Sequence, residues 1–222
     1  MVIKNWADGE LLTPAVMNEL TTSMTMRFAN DAAREALLVG DMAPAPGMTV
    51  YMLDSGITFT YIMVGGNGYW VPPPETLCFF ACQSAPQTLT AGVFAAIINF
   101  SVVGRNFGNW FNPANGKFTP QLPGLYEFVG GIGMVSAPAA SPSYALRGGL
   151  RFNSSGGTLP HNATENRQIV TTNGPAAFNV RKFTFAMNGT TDYVELVAMS
   201  PSTSNTVAGA MAPTFGAKYL GQ

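Results

Sequence analysis

Between Asn106 and Phe128 the chain reads NFGNWFNPANGKFTPQLPGLYEF, two tight-turn signatures framed by aromatic residues. The segment turns at Asn112-Pro113-Ala114-Asn115-Gly116 and again at Leu122-Pro123-Gly124. Pro113 presets the φ that the second residue of a type I turn needs. Asn115 and Gly116 both tolerate positive φ, which lets a hairpin close with a bulge. Pro123 followed by Gly124 carries the type II pattern. After it, Tyr126 and Phe128 fall on one face and Leu125, Glu127 and Val129 on the other, the period of a half-buried strand.

Composition agrees with a β-rich body. The 222 residues are enough for one large core and a smaller module. Charged residues make up 10%, against a usual share of about 25%. The net charge is −1 and no basic stripe is visible, which argues against a nucleic-acid binder. The charge is uneven. Residues 1–76 hold eight acids and three bases, and residues 77–222 four acids and eight bases. The trailing part is therefore mildly cationic, a help in approaching an anionic surface.

The front of the chain is different in kind. Thr13-Pro14 reads as a helix cap followed by proline at the first helical position, with Leu12 and Met17 spaced as a hydrophobic staple. Val16, Met17, Leu20 and Met24 recur at helical spacing. A second helix starts at Asn30 or Asp31, runs through Ala32, Ala33, Ala36 and Leu37, and is stopped by Gly40 and Pro44-Ala45-Pro46-Gly47. Neither helix is long enough to be stable alone, so their apolar stripes need a partner. Residues 47–71 predict a small β unit: one strand through Val50 and Met52, a turn at Asp54-Ser55-Gly56, and a return strand from Thr58 to Met63. A further turn at Gly65-Gly66-Asn67-Gly68 leads to Tyr69-Trp70. Pro72-Pro73-Pro74 follows as a stiff spacer. The expected boundaries are 1–40 (helical segment), 41–75 (β unit and spacer) and 76–222 (main β body).

The opening MVIKNWADGE shows no leader-like apolar core, and no run of about 18 apolar residues predicts a membrane span. Cys78 and Cys82, four apart, would share one strand face at a separation too great for a disulfide. Two buried free thiols are expected, consistent with synthesis in a reducing cytoplasm. The sequons at Asn99, Asn153, Asn162 and Asn188 read as by-products of an Asn/Ser/Thr-rich β protein.

Catalytic signatures are sparse. His161 is the single histidine and sits in a loop context; an exposed loop histidine is expected, with a catalytic base or metal ligand as the alternative, and no His/Cys cluster has zinc spacing. Asp192 and Glu195 have an odd separation, which on a strand puts them on opposite faces and is wrong for a glycosidase pair. No Asp-rich loop suggests calcium. The expectation is no enzyme, no catalytic residue, no metal and no cofactor. Arg181, Phe183, Phe185 and Met187 share a face at period two and read as core or subunit interface. The strand from Tyr193 to Met199 looks buried on both sides. Loops are expected at Ser136–Tyr144, Asn153–Arg167, Asn173-Gly174-Pro175 and Ser200–Asn205, and a rigid β body presents its binding residues on loops.

Two resemblances follow. Asn106, Gly108, Asn109, Phe111, Asn112, Gly116, Phe118, Pro123, Gly124, Tyr126 and Phe128 stand as in the globular head of complement C1q and its tumour-necrosis-factor-like relatives. Of these, Phe111, Gly116, Phe118, Pro123, Gly124, Tyr126 and Phe128 are the core and turn positions that define the fold. The resemblance covers roughly residues 76–222 and implies a ten-stranded jelly roll that assembles as a homotrimer and binds ligands on its outer surface. The pattern Trp-x-Asp-Gly-Glu-Leu-Leu-Thr-Pro-x-x-Met-Asn (Trp6 to Asn18) resembles the opening of tailed-bacteriophage minor tail proteins. Arg27-Phe28-Ala29, Ala32-Ala33-Arg34 and Tyr69-Trp70 continue that likeness. It implies a front segment docked on the tail or baseplate, made in the host bacterial cytoplasm and destined for the virion. Together they lead to an expected trimeric receptor-binding adhesin that recognises host cell-surface polysaccharide or protein, with cell-wall glycan favoured. The rival is a purely structural tail-tip or head-decoration protein. Which loops would bind a receptor is not marked in the sequence.

Overall fold

The computed structural model describes residues 25–135, 144–153, 166–170, 175–207 and 211–221. The chain divides into two compact units, Met1–Pro73 and Pro74–Gln222. The motif from Trp6 to Asn18 and the first expected helix lie outside the described residues.

In the first unit, β1 (Met26–Phe28), β2 (Thr49–Met52), β3 (Ile57–Val64) and β4 (Asn67–Val71) form one sheet in that order. β1 runs parallel to β2, so residues on both sides of the expected boundary at 40 share a sheet. The β3–β4 hairpin closes through Gly65 and Gly66 at φ 57° and 85°, the left-handed pair that matches strand twist. Val50, Met52, Phe28, Met48 and Phe59 make its small core. The helix α1 (Asp31–Leu37) begins as expected, with Asn30 Oδ1 accepting the Ala33 N–H at 3.0 Å. Its buried face is a correction. Ala32, Ala33, Ala36 and Leu37 are exposed, and Arg34 and Leu38, four apart, point inward instead. Arg34 lies 5.1 Å over the Trp70 ring and pairs with Asp31 at 2.8 Å, so a guanidinium stacked on indole replaces the expected alanine stripe.

The second unit is a sandwich of two antiparallel sheets. One carries β5 (Cys78–Gln83), β8 (Phe100–Asn106), β11 (Gly124–Val135), β14 (Pro175–Met187) and β17 (Thr214–Gly221), ordered β14-β11-β17-β5-β8. The other carries β9 (Phe111–Asn112), β10 (Lys117–Phe118), β12 (Tyr144–Phe152), β13 (Asn166–Val170) and β15 (Val194–Met199), ordered β13-β12-β15-β10-β9. The chain crosses repeatedly between the two sheets, with β9–β10 and β12–β13 as hairpins inside the second, and the sandwich is a jelly roll, as expected. The short strands β6 (Thr88–Leu89) and β16 (Ser204–Asn205) pair with each other, and β7 (Ala95–Ala96) adds to β15. Pro74 belongs to this unit: it opens a 3-10 turn in which its carbonyl accepts the Leu77 N–H at 3.1 Å. The proline run is thus partly folded into the sandwich rather than a free spacer.

The fold-defining residues lie where the two sheets meet. Phe111, Phe118, Tyr126 and Phe128 are each 3% exposed or less. Phe79 stacks on Phe111 at 4.4 Å and on Phe118 at 4.9 Å, and meets Phe215 edge-on at 5.0 Å. Asn106 explains the first half of the opening motif. Its amide accepts the Phe111 N–H and donates to the Phe111 carbonyl, acting as a strand partner for β9. In the turn between β9 and β10 only Gly116 takes positive φ, at 70°. A Cβ there would collide with the Ile97 carbonyl. Asn115 instead accepts the Lys117 N–H through its side chain. Gly124 departs from the type II expectation. Its φ of 144° starts β11, and the site has no room for a Cβ, which would lie 2.6 Å from the Gly221 carbonyl.

Two further corrections concern faces. In β14 a bulge opposite Val129 inserts an extra residue, since Phe128 pairs with Phe183 but Gly130 with Val180. Arg181 therefore leaves the face of Phe183, Phe185 and Met187, and the period-two reading fails there. Phe183 itself stays 37% exposed. β15 is buried on both faces as expected, and it is the central strand of its own sheet. Its outward-facing Glu195 is buried against Arg151.

Candidate functional site

Among the described residues of the second unit, the carboxylates Asp192 and Glu195 are engaged structurally. Glu195 Oε1 accepts from Arg151 Nε at 2.7 Å, with side-chain exposures of 3% and 6%. Asp192 Oδ1 accepts from Asn153 Nδ2 at 2.6 Å and its Oδ2 from the Asn188 N–H at 2.7 Å. Asn188 Oδ1 accepts three successive N–H groups, those of Thr190, Thr191 and Asp192. Two of the sequon asparagines, Asn153 and Asn188, are thus turn-builders. Asp192 precedes β15 and Glu195 lies on it, so they are not two positions of one strand as expected, and each has its own partners. Among the described residues no group of three His, Cys, Asp or Glu side chains could hold a metal ion. His161 and Asn162 lie outside the described residues. No helix among the described residues is long and apolar enough to cross a membrane.

The surface that stands out is the outer face of the sheet β14-β11-β17-β5-β8. Strand period brings Val129, Gly216 and Phe80 into one row, and Glu127, Lys218 and Cys78 into the next. Phe80 (42%), Val129 (41%), Leu125 (40%) and Leu220 (45%) are exposed. Gly216 between them leaves the Phe80 ring room to reach toward Val129: a Cβ on Gly216 would lie 3.2 Å from Phe80 Cδ2 and 3.4 Å from Val129 Cγ2. Glu127 sits inside this apolar row system, 15% exposed, 2.6 Å from Lys182 Nζ and 3.3 Å from Lys218 Nζ. The hydrogen bond from Lys182 holds its carboxyl below the usual carboxylate range, with Lys218 acting in the same direction and partial desolvation opposing. Cys78 and Cys82 flank Phe80 on this face. Neither is in a disulfide, and both are half-buried rather than buried, because β5 turns Phe79, Ala81 and Gln83 to the core and leaves the alternate set outside.

Sequence reasoning found the turn and core residues but missed this face. The alternation of Leu125, Glu127 and Val129 opposite Tyr126 and Phe128 was its one visible signal. It also missed the pairing of Arg151 with Glu195, residues far apart in sequence whose meeting depends on the β12–β15 register.

Of the expected loops, 136–143, 154–165 and 171–174 lie outside the described residues. Tyr144, Asn166, Arg167 and Pro175 belong to strands, as do Ser204 and Asn205. A segment from Ser84 to Asn99 is tied down by glutamines. Gln83 Nε2 donates to the Ile98 carbonyl, Gln87 Oε1 accepts the Ile98 N–H, and Gln87 Nε2 donates to the Ala96 carbonyl. Phe94 on this segment receives Arg147 at 5.2 Å.

No family model matches the chain, and no curated protein matches it. Solved structures similar to it include the globular domain of zebrafish complement 1qA protein, at 13% identity and TM-score 0.41, covering 64% of this chain and 96% of that one. Murine APRIL at pH 5.0 is similar at 8% identity and TM-score 0.45, covering 64% and 98%. Eiger TNF from S. frugiperda is similar at 6% identity and TM-score 0.45, covering 66% and 93%. At these values the fold assignment rests on the strand order and register of the chain itself.

Proposed function

We propose that the chain is a virion tail component of a tailed bacteriophage. Its second unit assembles as a homotrimeric, non-enzymatic knob that adheres to the host bacterial surface, and its first unit joins it to other tail or baseplate proteins. The observation that carries the assembly is the apolar outer face of β14-β11-β17-β5-β8, with four large hydrophobic side chains at 40–45% exposure around a Glu127–Lys182–Lys218 cluster. A face of this kind is stabilised by covering it, and three copies around a threefold axis can turn it inward together. The phage reading is supported by the sequence from Trp6 to Asn18 and its continuation to Trp70. The weakly charged, Asn/Ser/Thr-rich surface favours neutral cell-wall glycan as ligand. Three weak sites on one knob, and several knobs on one tail, give firm attachment through avidity.

The test is a fluorescent fusion of the full chain applied to a panel of candidate host cells, with light scattering of the same preparation. Trimer mass and saturable labelling of a permissive host are expected. A monomer, or no labelling on any permissive host, overturns the reading. Imaging of the particle separates it from the structural rival: a knob buried by neighbouring subunits would rule out adhesion.

A further inference from the structure

At the Cys82 end of the same sheet the outer face changes character. Large side chains give way to a row of small and neutral ones: Asn179, Gly131 and Thr214 are register partners across β14, β11 and β17. Ala177 follows on β14, opposite Gly133 on β11. The chain at Met211 and Ala212 rises beside them and encloses a notch of about 410 Å³, within the range of small-molecule sites.

The notch exists because two positions lack side chains. Gly131 has an ordinary strand φ, so its identity is not imposed by the backbone. A Cβ there would intrude between two polar atoms, 2.8 Å from Thr214 Oγ1 and 3.6 Å from Asn179 Oδ1. At Gly133 a Cβ would collide with the Met211 carbonyl, so that glycine lets the Met211 segment close the wall. The lining therefore converges an amide and a hydroxyl over a bare floor, beside the apolar surfaces of Met211, Ala177 and Ala212. Among the described residues it contains no ionisable side chain.

We propose that this notch is a binding site for one ring of a neutral sugar. Ring hydroxyls suit the amide and hydroxyl pair, which can both donate and accept. The C–H face of a pyranose suits the alanine and methionine surfaces. The uncharged lining disfavours anionic sugars, whose carboxylate would lose hydration without a cation to meet it. The site deepens the adhesion reading and rests on it for the source of the sugar, a host glycan.

The experiment uses the full chain with methyl-labelled Ala and Met, titrated with glucose, galactose, N-acetylglucosamine and, as the charged probe, N-acetylneuraminic acid. At least one neutral sugar is expected to shift the Ala177, Met211 and Ala212 methyl resonances saturably, with the charged sugar at least tenfold weaker. Gly131→Val, which fills the floor, and Thr214→Val, which removes the hydroxyl at constant shape, are each expected to weaken binding about tenfold or more. Their folding is checked by unchanged core methyl signals. No saturable shift with any neutral sugar, tighter binding of the charged sugar, or unchanged binding by a folded Thr214→Val variant overturns the site. The cell-labelling assay is read separately. Labelling that survives both substitutions retains the adhesin and sinks the notch, and a sugar-binding notch on a protein that labels no host does the reverse.

Discussion

Arg151 and Glu195 face each other across β12 and β15 at 2.7 Å, and both side chains are almost sealed from water. Such a pair contributes little over a well-packed apolar pair, because removing two charges from water offsets most of their attraction. Losing one member is another matter, since it strands the other charge. Glu195→Gln or Arg151→Met is expected to destabilise the second unit by about 3–5 kcal/mol. The double change Arg151→Met with Glu195→Leu is expected to recover most of that loss. Urea denaturation of the full chain, read at the sandwich aromatics, measures all three.

Glu127 gives a pH signature of definite sign. Its folded carboxyl titrates below the usual range because Lys182 and Lys218 hold the charged form. The stability it adds is present above the unfolded carboxylate pKa and is lost as pH falls through the folded one. Melting temperature followed from pH 7 to pH 3 is expected to fall more gently in Glu127→Gln than in the unchanged protein. The two curves should converge at the acid end.

Tyr126 donates its hydroxyl to the Leu122 carbonyl at 2.7 Å inside the core. Tyr126→Phe leaves that carbonyl without this donor, and a cost of about 1–3 kcal/mol is expected. Burial also pushes the phenol pKa far upward. In an alkaline absorbance titration, Tyr126 is expected to ionise only on unfolding. An ionisation at an ordinary phenol pH in the folded protein would contradict its placement.

Gly116→Ala tests the hairpin between β9 and β10. Positive φ alone costs roughly 1–2 kcal/mol for a residue with a Cβ, and the collision with the Ile97 carbonyl adds to it. Ala114→Gly in the same loop, where no positive φ is required, is expected to lie within about 1 kcal/mol of the unchanged protein.

What was legible in the sequence was local. Turn residues and period-two alternation placed Phe111, Phe118, Tyr126 and Phe128 in the core, because these signals are written within a few residues of each other. The faces that depend on distant partners were not. The bulge opposite Val129 moved Arg181 off the face of Phe183, and nothing in RKFTF announces an extra residue. The helix α1 looked apolar through its alanines, yet its buried side is Arg34, whose place depends on a tryptophan 36 positions later. Residue type marks Cys78 and Cys82 as buried, and the register of β5 assigns them to the outside. The sugar notch depends on three strands meeting at Gly131, an arrangement with no linear trace.

The way the chain enters its second unit has a mechanical consequence. β5 follows directly from Pro74 and lies between β17 and β8, antiparallel to both. Tension on the polypeptide from the Pro74 side, resisted at the Cys82 end of the sheet, pulls β5 along its own axis. Both of its ladders are then sheared at once instead of being unzipped bond by bond. A unit tethered in this way is built to be tugged without coming apart.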